Sequence, residues 1–391
     1  MELSIVHNID LVKTLNELKS FNTYTACVRN NILRIIESCF FGGYREKTVD
    51  FARYSDRHRT SLAHFLNKGK WDSAALETSL RQSVIEKVYQ HARETKQPVL
   101  CIIDDTIASK TRPSSQAVHP MEATSNHMSH LKGRMDYGHQ AIGVMLACGE
   151  LVLNYAILLY DKSQSKIDLV SSIANTLPEP PNIGYLLCDS WYTCDKVMDA
   201  FVRKGFYTIS RLKTNRILYP CGIRTPLSEF ASKLRKTDSG VRLISVGNRK
   251  YWVYRYDGQI NGTDGAAVIL TYPENAFGKP KALRAFLCTN AALSTEYILS
   301  LYTKRWPVEV FFRTTKGKLA LDKYQLRSAT GIRRFWLIML LTHFLCCVGS
   351  GVLCSFSEGY AYWQKLVLRN VVQYVYNCGK NGMPLSMLGI G

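Results

Sequence analysis

The chain has no CxxC pair. Its twelve cysteines are scattered, and Cys346 and Cys347, the only adjacent two, point apart on a helix. Free thiols in a reducing cytoplasm are therefore expected, rather than disulfides or a zinc knuckle. The first residues, MELSIVHNIDLVKTLNELK, lack a basic start followed by an apolar run, so no secretory leader is expected. Acidic residues are scarce: 31 Asp and Glu stand against 50 Lys and Arg, a formal net charge of +19. That surplus favours a polyanionic partner, nucleic acid before an anionic membrane surface, because each neutralised phosphate releases condensed counterions. Long apolar runs are also missing, save residues 335–353 (FWLIMLLTHFLCCVGSGVL). This run carries Thr342, His343, Gly349, Ser350 and Gly351, and reads as a helix buried in a large core; a membrane anchor is the alternative. What is plentiful is ordinary. Across 391 residues, 46% hydrophobic and 21% charged side chains describe globular material for two or three modules.

Residues 1 to about 95 read as helical, with apolar positions recurring at Leu11, Leu15, Leu18 and again at Leu76, Leu80, Val84, Ile85, Val88. Within them, 47–53 forms a candidate short helix. Ser55 is the expected N-cap of a second, which runs through Arg57, Arg59, Leu62, Phe65 and Leu66. Such a pair is either a helix-turn-helix led by basic residues or a plain helical hairpin with a solvated basic face. The contiguous string YREK at 44–47 is read as chance.

From Pro98 the period changes. VLCIID is a short apolar run ending in acids, the pattern of a buried strand, and 106–137 is polar, with His119, His127 and His130. GHQAIGVMLAC and ELVLNYAILLY read as a hairpin turning at Cys148-Gly149-Glu150. An amphipathic helix over 165–177 ends at Pro178, and a second buried strand, IGYLLCDS, again finishes in an acid. A helix over 193–204 and the strand FYTIS follow. Residues 211–290 hold short β-rich runs (VRLISVG, KYWVYRY, AAVILTY, LRAFLCT), and helical pattern returns from Thr295 to about Val352.

Asp105 and Asp189 each sit at the carboxyl end of an apolar strand, where open α/β sheets place their ligands. A lone strand-end Asp is commonly a turn or cap residue. Two on adjacent central strands repel each other, and a divalent cation with a taste for oxygen, Mg2+ or Mn2+, resolves the repulsion. In LYTKRWPVEVFFRTTKGKLALDKYQLRS, the residues Tyr302, Arg305, Glu309 and Lys316 fall on one stripe of a helix. Pro307 kinks that helix or marks a restart. The plainer explanation of the stripe is a solvated charged face with Arg–Glu support at i,i+4.

DDTIASKT around Asp105, LLCDSWYT around Asp189 and the Y-x2-R-x3-E-x6-K spacing from Tyr302 to Lys316 together resemble the DDE transposases of bacterial insertion sequences, the IS-four group. The resemblance covers roughly residues 96–350 and agrees with the order of elements. It implies an α/β fold: a ribonuclease-H-like catalytic core (96–210 and 291–350) interrupted by a β-rich insertion (211–290). An all-helical DNA-binding domain (1–95) precedes it and a helical tail (351–391) follows. It implies Asp105, Asp189 and Glu309 as ligands of two Mg2+ (or Mn2+) ions per active site. Asp105 is chosen because it immediately precedes Thr106, with Asp104 as the alternative. Tyr302, Arg305 and Lys316 are implied as DNA contacts, and Trp191 as a stacking platform for an unpaired base.

Arg57 and Arg59 are candidates for reading the end sequence, and Arg211 and Lys213 for phosphate contact; a solvated face explains the basic pairs almost as well. The implied partners are double-stranded DNA, as transposon inverted-repeat ends and as target, and a second copy of the chain on paired ends. No membrane is implied, and the expected location is a bacterial cytoplasm, nucleoid-associated when on DNA. A transposase that only binds DNA and an acid-pair glycosidase are the competing readings. The second leaves both the charge and the helix stripe unexplained. The His-bearing stretch 119–139 matches no zinc spacing and is expected to be a mobile polar loop that orders on DNA.

Overall fold

The computed structural model describes residues 7–42, 58–129, 132–260, 263–349 and 354–384. Among the described residues, five helices come first: α1 (Ile9–Asn16), α2 (Lys19–Thr23), α3 (Ala26–Gly42), α4 (Arg59–Asn67) and α5 (Ser73–Thr95). The expected helix at 47–53, with Ser55 and Arg57, lies outside the described residues. The N-cap of α4 is His58, whose ring nitrogen accepts from the Thr60 amide, so the start falls three residues beyond the position expected for a Ser55 cap. The apolar face of α4 (Leu62, Phe65, Leu66) is buried, and its exposed Arg59 opens the first turn.

The sheet begins with β1 (Val99–Ser109), β2 (Ser125–Ser129), β3 (Arg134–Cys148) and β4 (Leu151–Tyr160). Helix α6 (Lys166–Ala174), β5 (Gly184–Cys188), α7 (Asp195–Val202) and β6 (Phe206–Leu212) follow. In space β1 lies between antiparallel β3 and parallel β5, β6 continues parallel beyond β5, and β4 flanks β3. Short β7 (Ile217–Leu218) and β8 (Thr225–Pro226) lead through α8 (Leu227–Lys233) to three longer strands and a return. These are β9 (Val241–Val246), β10 (Arg249–Ile260), β11 (Thr263–Pro273) and β12 (Arg284–Cys288). Strand β12 pairs antiparallel with β6, so the β-rich segment prolongs the same mixed sheet.

The helical pattern from Thr295 resolves into α9 (Thr295–Thr303), α10 (Pro307–Lys318), α11 (Ala329–Val348) and α12 (Phe356–Lys380). Pro307 is the first residue of α10 and cannot donate the amide that would continue α9. Trp306 before it keeps helical angles, so the two short helices stay nearly in register.

Helix α11 is long and apolar enough to cross a bilayer, yet 83% of its apolar window is buried inside the fold. It packs against β4, α4, α5 and α12 and is covered all round, which is why its sequence shows no amphipathic stripe. Leu11 and Leu15 of α1, Leu80 and Val84 of α5, the strands β1, β3 and β5, and α11 share one continuous buried cluster. A smaller cluster lies under β10–β12 and α8. No disulfide joins any cysteines among the described residues.

The His-bearing stretch is more ordered than its composition suggests. Residues 125–129 pair with β3, whose first residue is Arg134, ahead of the expected start at Gly138. His127 and His139 are buried, and the ring nitrogen of His127 bonds the Ser125 hydroxyl. The expectation of a mobile loop is corrected for these residues: the long β3 offers SNHMS a ladder partner, which outweighs its weak strand propensity. His130 lies outside the described residues.

Candidate active site

The parallel ladder between β1 and β5 ends at Ile103 opposite Cys188. Asp104 and Asp105 are the next residues on one strand and Asp189 is the next on the other. All three therefore gather where the ladder between β1 and β5 ends, while β1 itself runs on beside β3 to Ser109. Strand alternation then separates the two neighbours, because successive side chains leave opposite faces of a sheet.

Asp104 points toward α10. Its Oδ2 accepts from Arg305 Nη1 at 2.5 Å, and Arg305 Nη2 donates in turn to Glu309. Burial pushes the Asp104 carboxyl up to about 6 against the pull of Arg305, and the charges of Asp105 and Asp189 push the same way as burial. Burial works against the Arg305 charge, but Asp104, Tyr302 and Glu309 outweigh it and raise its affinity for the proton. Helix α10 reaches Asp104 because Gly143, the cross-strand partner of that residue, leaves room: a Cβ there would lie 2.7 Å from Phe312 Cζ. Val308, Phe311 and Phe312 are buried beneath the helix and fix its rotation.

Lys316 lies further along the same face, with Nζ donating to Thr106 Oγ1 at 2.7 Å and to the Ile107 carbonyl at 2.9 Å. The guanidinium carbon of Arg305 is 5.9 Å from the centre of the Tyr302 ring. Burial pushes the Tyr302 phenol up to about 12; Arg305 opposes this and the Asp189 charge adds to it. Asp104, Asp189, Tyr302, Arg305, Glu309 and Lys316 thus share one neighbourhood.

Asp105 points to the other face of β1. Its Oδ2 accepts from Tyr192 Oη at 2.6 Å and from Lys166 Nζ at 2.9 Å, and its Oδ1 accepts from Gln140 Nε2 at 2.8 Å. The physical reason is the register of β1. One residue of shift exchanges the faces, and a buried strand with no polar alternation carries no signal of which face is which. Lys166, Tyr192 and Gln140 escaped the sequence reading. Only Tyr192 stood near a motif, inside DSWYT.

Trp191 is 50% exposed, with Lys166 Nζ 4.5 Å and Lys213 Nζ 5.0 Å from its ring centre. Arg211 and Lys213 are exposed nearby. A cleft of about 690 Å3 runs along the second half of β1 and touches Asp104, Asp105, Asp189, Lys166, Trp191 and Lys316. Arg59 is exposed on α4, and its place on the helical layer is the only part of the Arg57–Arg59 expectation that falls on described residues.

The donors present are carboxylate oxygens, which suit hard divalent cations. Burial is the main reason the Asp104 carboxyl is raised, and the charges of Asp105 and Asp189 add a smaller push in the same direction. In this geometry the Arg305 guanidinium stands between Asp104 and Glu309. Among the described residues, no three His, Cys, Asp or Glu side chains are drawn together as a metal-holding group.

A mixed α/β sheet with acids where the ladder between two central parallel strands ends, and a third acid brought over them by a helix, is consistent with a ribonuclease-H-like DNA-processing domain. A profile of the transposase DDE domain matches residues 95–345, close to two thirds of the chain, and the protein belongs to that family, the DDE-type transposases of insertion sequences. Transposases of this family act on DNA and in general use divalent metal ions. No curated protein matches the chain.

Proposed function

We propose that the protein cuts DNA strands at the ends of its own insertion sequence and joins the freed 3′ ends to target DNA, with Asp104, Asp189 and Glu309 as the acids at its centre. The observation that carries this reading is the ion-pair chain Asp104–Arg305–Glu309 on the face of β1 toward α10, with the Asp189 charge felt at Asp104. Asp104 is preferred to Asp105 because the oxygens of Asp105 are already taken by three donors on the opposite face.

The three acids would hold two Mg2+ or Mn2+ ions, which when bound activate the attacking hydroxyl and stabilise the leaving oxygen of an in-line phosphoryl transfer. The side chains then have positioning and charge to supply. Arg305, released from its two carboxylates, is placed to hold a DNA phosphate together with the Tyr302 hydroxyl. Lys316 reaches the same strand further along α10, and Trp191 offers a ring to an unpaired base between Lys166 and Lys213. Arg211 and Lys213 contact phosphates beyond the cleft. In this proposal the protein is of the IS-four group, works through a hairpin intermediate and acts as a homodimer on paired inverted-repeat ends. The chain comprises a helical DNA-binding part (1–95), a core (96–210, 291–350), a β-rich insertion (211–290) and a tail (351–391). The site of action is a bacterial nucleoid.

The test is cleavage of a labelled transposon-end duplex in Mg2+ or Mn2+. Asp104→Asn, Asp189→Asn and Glu309→Gln are each expected to lose at least about a hundredfold in cleavage rate while binding the end duplex like wild type. A purified variant of this set that cleaves at the wild-type rate removes its residue from the centre.

A further inference from the structure

Backbone pairing holds β1 to β5 only as far as Ile103 and Cys188, one residue short of each acid. Beyond that point the Asp189–Thr193 segment is turn, with neither helix nor strand to fix it. It is closed locally by the Tyr192 amide on the Asp189 carbonyl at 3.0 Å, and tied to β6 by Thr193 Oγ1 on the Arg211 carbonyl at 3.1 Å. Toward β1 the tie is a side chain. The Tyr192 ring is 1% exposed and its hydroxyl ends on Asp105 Oδ2. Asp105 is in turn clamped from α6 by Lys166 and from β3 by Gln140.

We propose that Asp105 and Tyr192 form a positioning strut, continuing the β1–β5 connection past the end of its ladder and fixing the turn that carries Asp189 against the strand that carries Asp104. The inference rests on the acid assignment under Proposed function. It divides the labour of the Asp104–Asp105 pair: one carboxylate faces the reaction, and its neighbour, on the opposite face, locks the two acid-bearing elements together. A carboxylate serves here because it accepts from three directions at once, from a phenol, an ammonium and an amide, each on a different element. Removing one donor loosens the turn without touching any acid, the way outer partners tune a site without entering it.

The experiment compares Tyr192→Phe, Asp105→Asn, Asp105→Ala, the double variant Tyr192→Phe/Asp105→Ala and Asp104→Asn. Three quantities are measured on the full chain: end-duplex affinity by anisotropy, single-turnover cleavage at saturating DNA, and Mn2+ binding by electron paramagnetic resonance. Tyr192→Phe keeps the buried ring and is expected to bind DNA normally, to cleave about tenfold more slowly and to bind Mn2+ several-fold more weakly. Asp105→Asn keeps an oxygen for the Tyr192 hydroxyl and is expected to stay within about threefold of wild type. Asp105→Ala should match Tyr192→Phe, and the double variant should be no worse than either single one, since both break the same contact.

A Tyr192→Phe protein with wild-type cleavage and Mn2+ affinity overturns the strut. So does an Asp105→Asn protein as inactive as Asp104→Asn, which would make Asp105 itself a ligand. Wild-type cleavage by Asp104→Asn would instead bring down the acid assignment, and the strut with it. That result is distinct, because it comes from a residue outside the strut.

Discussion

His139 shows what one buried side chain does for this fold. It is fully buried; Nε2 donates to the Glu122 carbonyl at 2.8 Å, and Nδ1 accepts the Tyr324 hydroxyl at 2.7 Å. A carbonyl can only accept, so the hydrogen belongs on Nε2 and the ring is neutral. It ties β3 to the 110–124 segment on one side and to the α10–α11 connection on the other. Burial lowers its pKa to about 4; the Glu122 carbonyl opposes this, and the nearby Lys110 charge adds to it. A histidine whose folded pKa is depressed gives its full stability above the unfolded value of about 6.5 and loses it as pH falls through the folded one. Between pH 7 and pH 5 the neutral ring should therefore cost the protein roughly 2 kcal/mol of stability. Urea unfolding at the two pH values should show this loss in wild type and a smaller one in His139→Gln. Equal losses in both would mean that the ring is not what titrates.

Among the elements, α11 and α12 depend on one glycine. A Cβ on Gly359 would sit 1.6 Å from the Cys346 carbonyl oxygen, so the two helices touch backbone to backbone there. The indole of Trp363, one turn on, is fully buried with Nε1 donating to the Leu345 carbonyl at 3.0 Å. Gly359→Ala should force the helices apart and cost about 1–3 kcal/mol. Gly379→Ala, on the same helix with nothing within 4 Å of its Cβ, should be neutral or stabilise by up to about 1 kcal/mol. Thermal melts of the pair test the contact, and a Gly359→Ala protein melting like Gly379→Ala would deny it.

The same elements mark how far the sequence could be read. The runs VLCIID and IGYLLCDS announce β1 and β5, although β1 does not close on its acids but runs on beside β3 to Ser109, and the hairpin of β3 and β4 turns where Cys148-Gly149-Glu150 directs. Strand β2 went unread because its five polar-rich residues pair with a partner whose reach is invisible locally. The choice between Asp104 and Asp105 was likewise hidden. Both face assignments satisfy an apolar strand equally, and only the packing of Phe312 on Gly143 sets Asp104 toward Glu309. The Tyr302–Lys316 stripe survived the break at Pro307 because Trp306 stays helical.

At the scale of the whole molecule, a net charge of +19 overstates the cations available to DNA, because several are structural. Lys110 Nζ caps the carbonyls of Asp322 and Tyr324, Arg255 those of Ala291 and Leu293, and Arg334 those of Leu66 and Trp71. Lys166 is spent on Asp105. Lys213, exposed beside Trp191, is a different case: its contact with the ring leaves the ammonium in water. Each phosphate that a free cation neutralises adds about 0.9 to the slope of log affinity against log salt. Lys213→Gln should therefore flatten that slope by about 0.9 across a titration of end-duplex binding. Arg334→Gln, whose charge is turned inward, should weaken the fold and leave the slope alone. If Arg334→Gln flattens the slope as much as Lys213→Gln does, the surplus charge acts as a diffuse field, and the track past Trp191 loses its special claim on the DNA backbone.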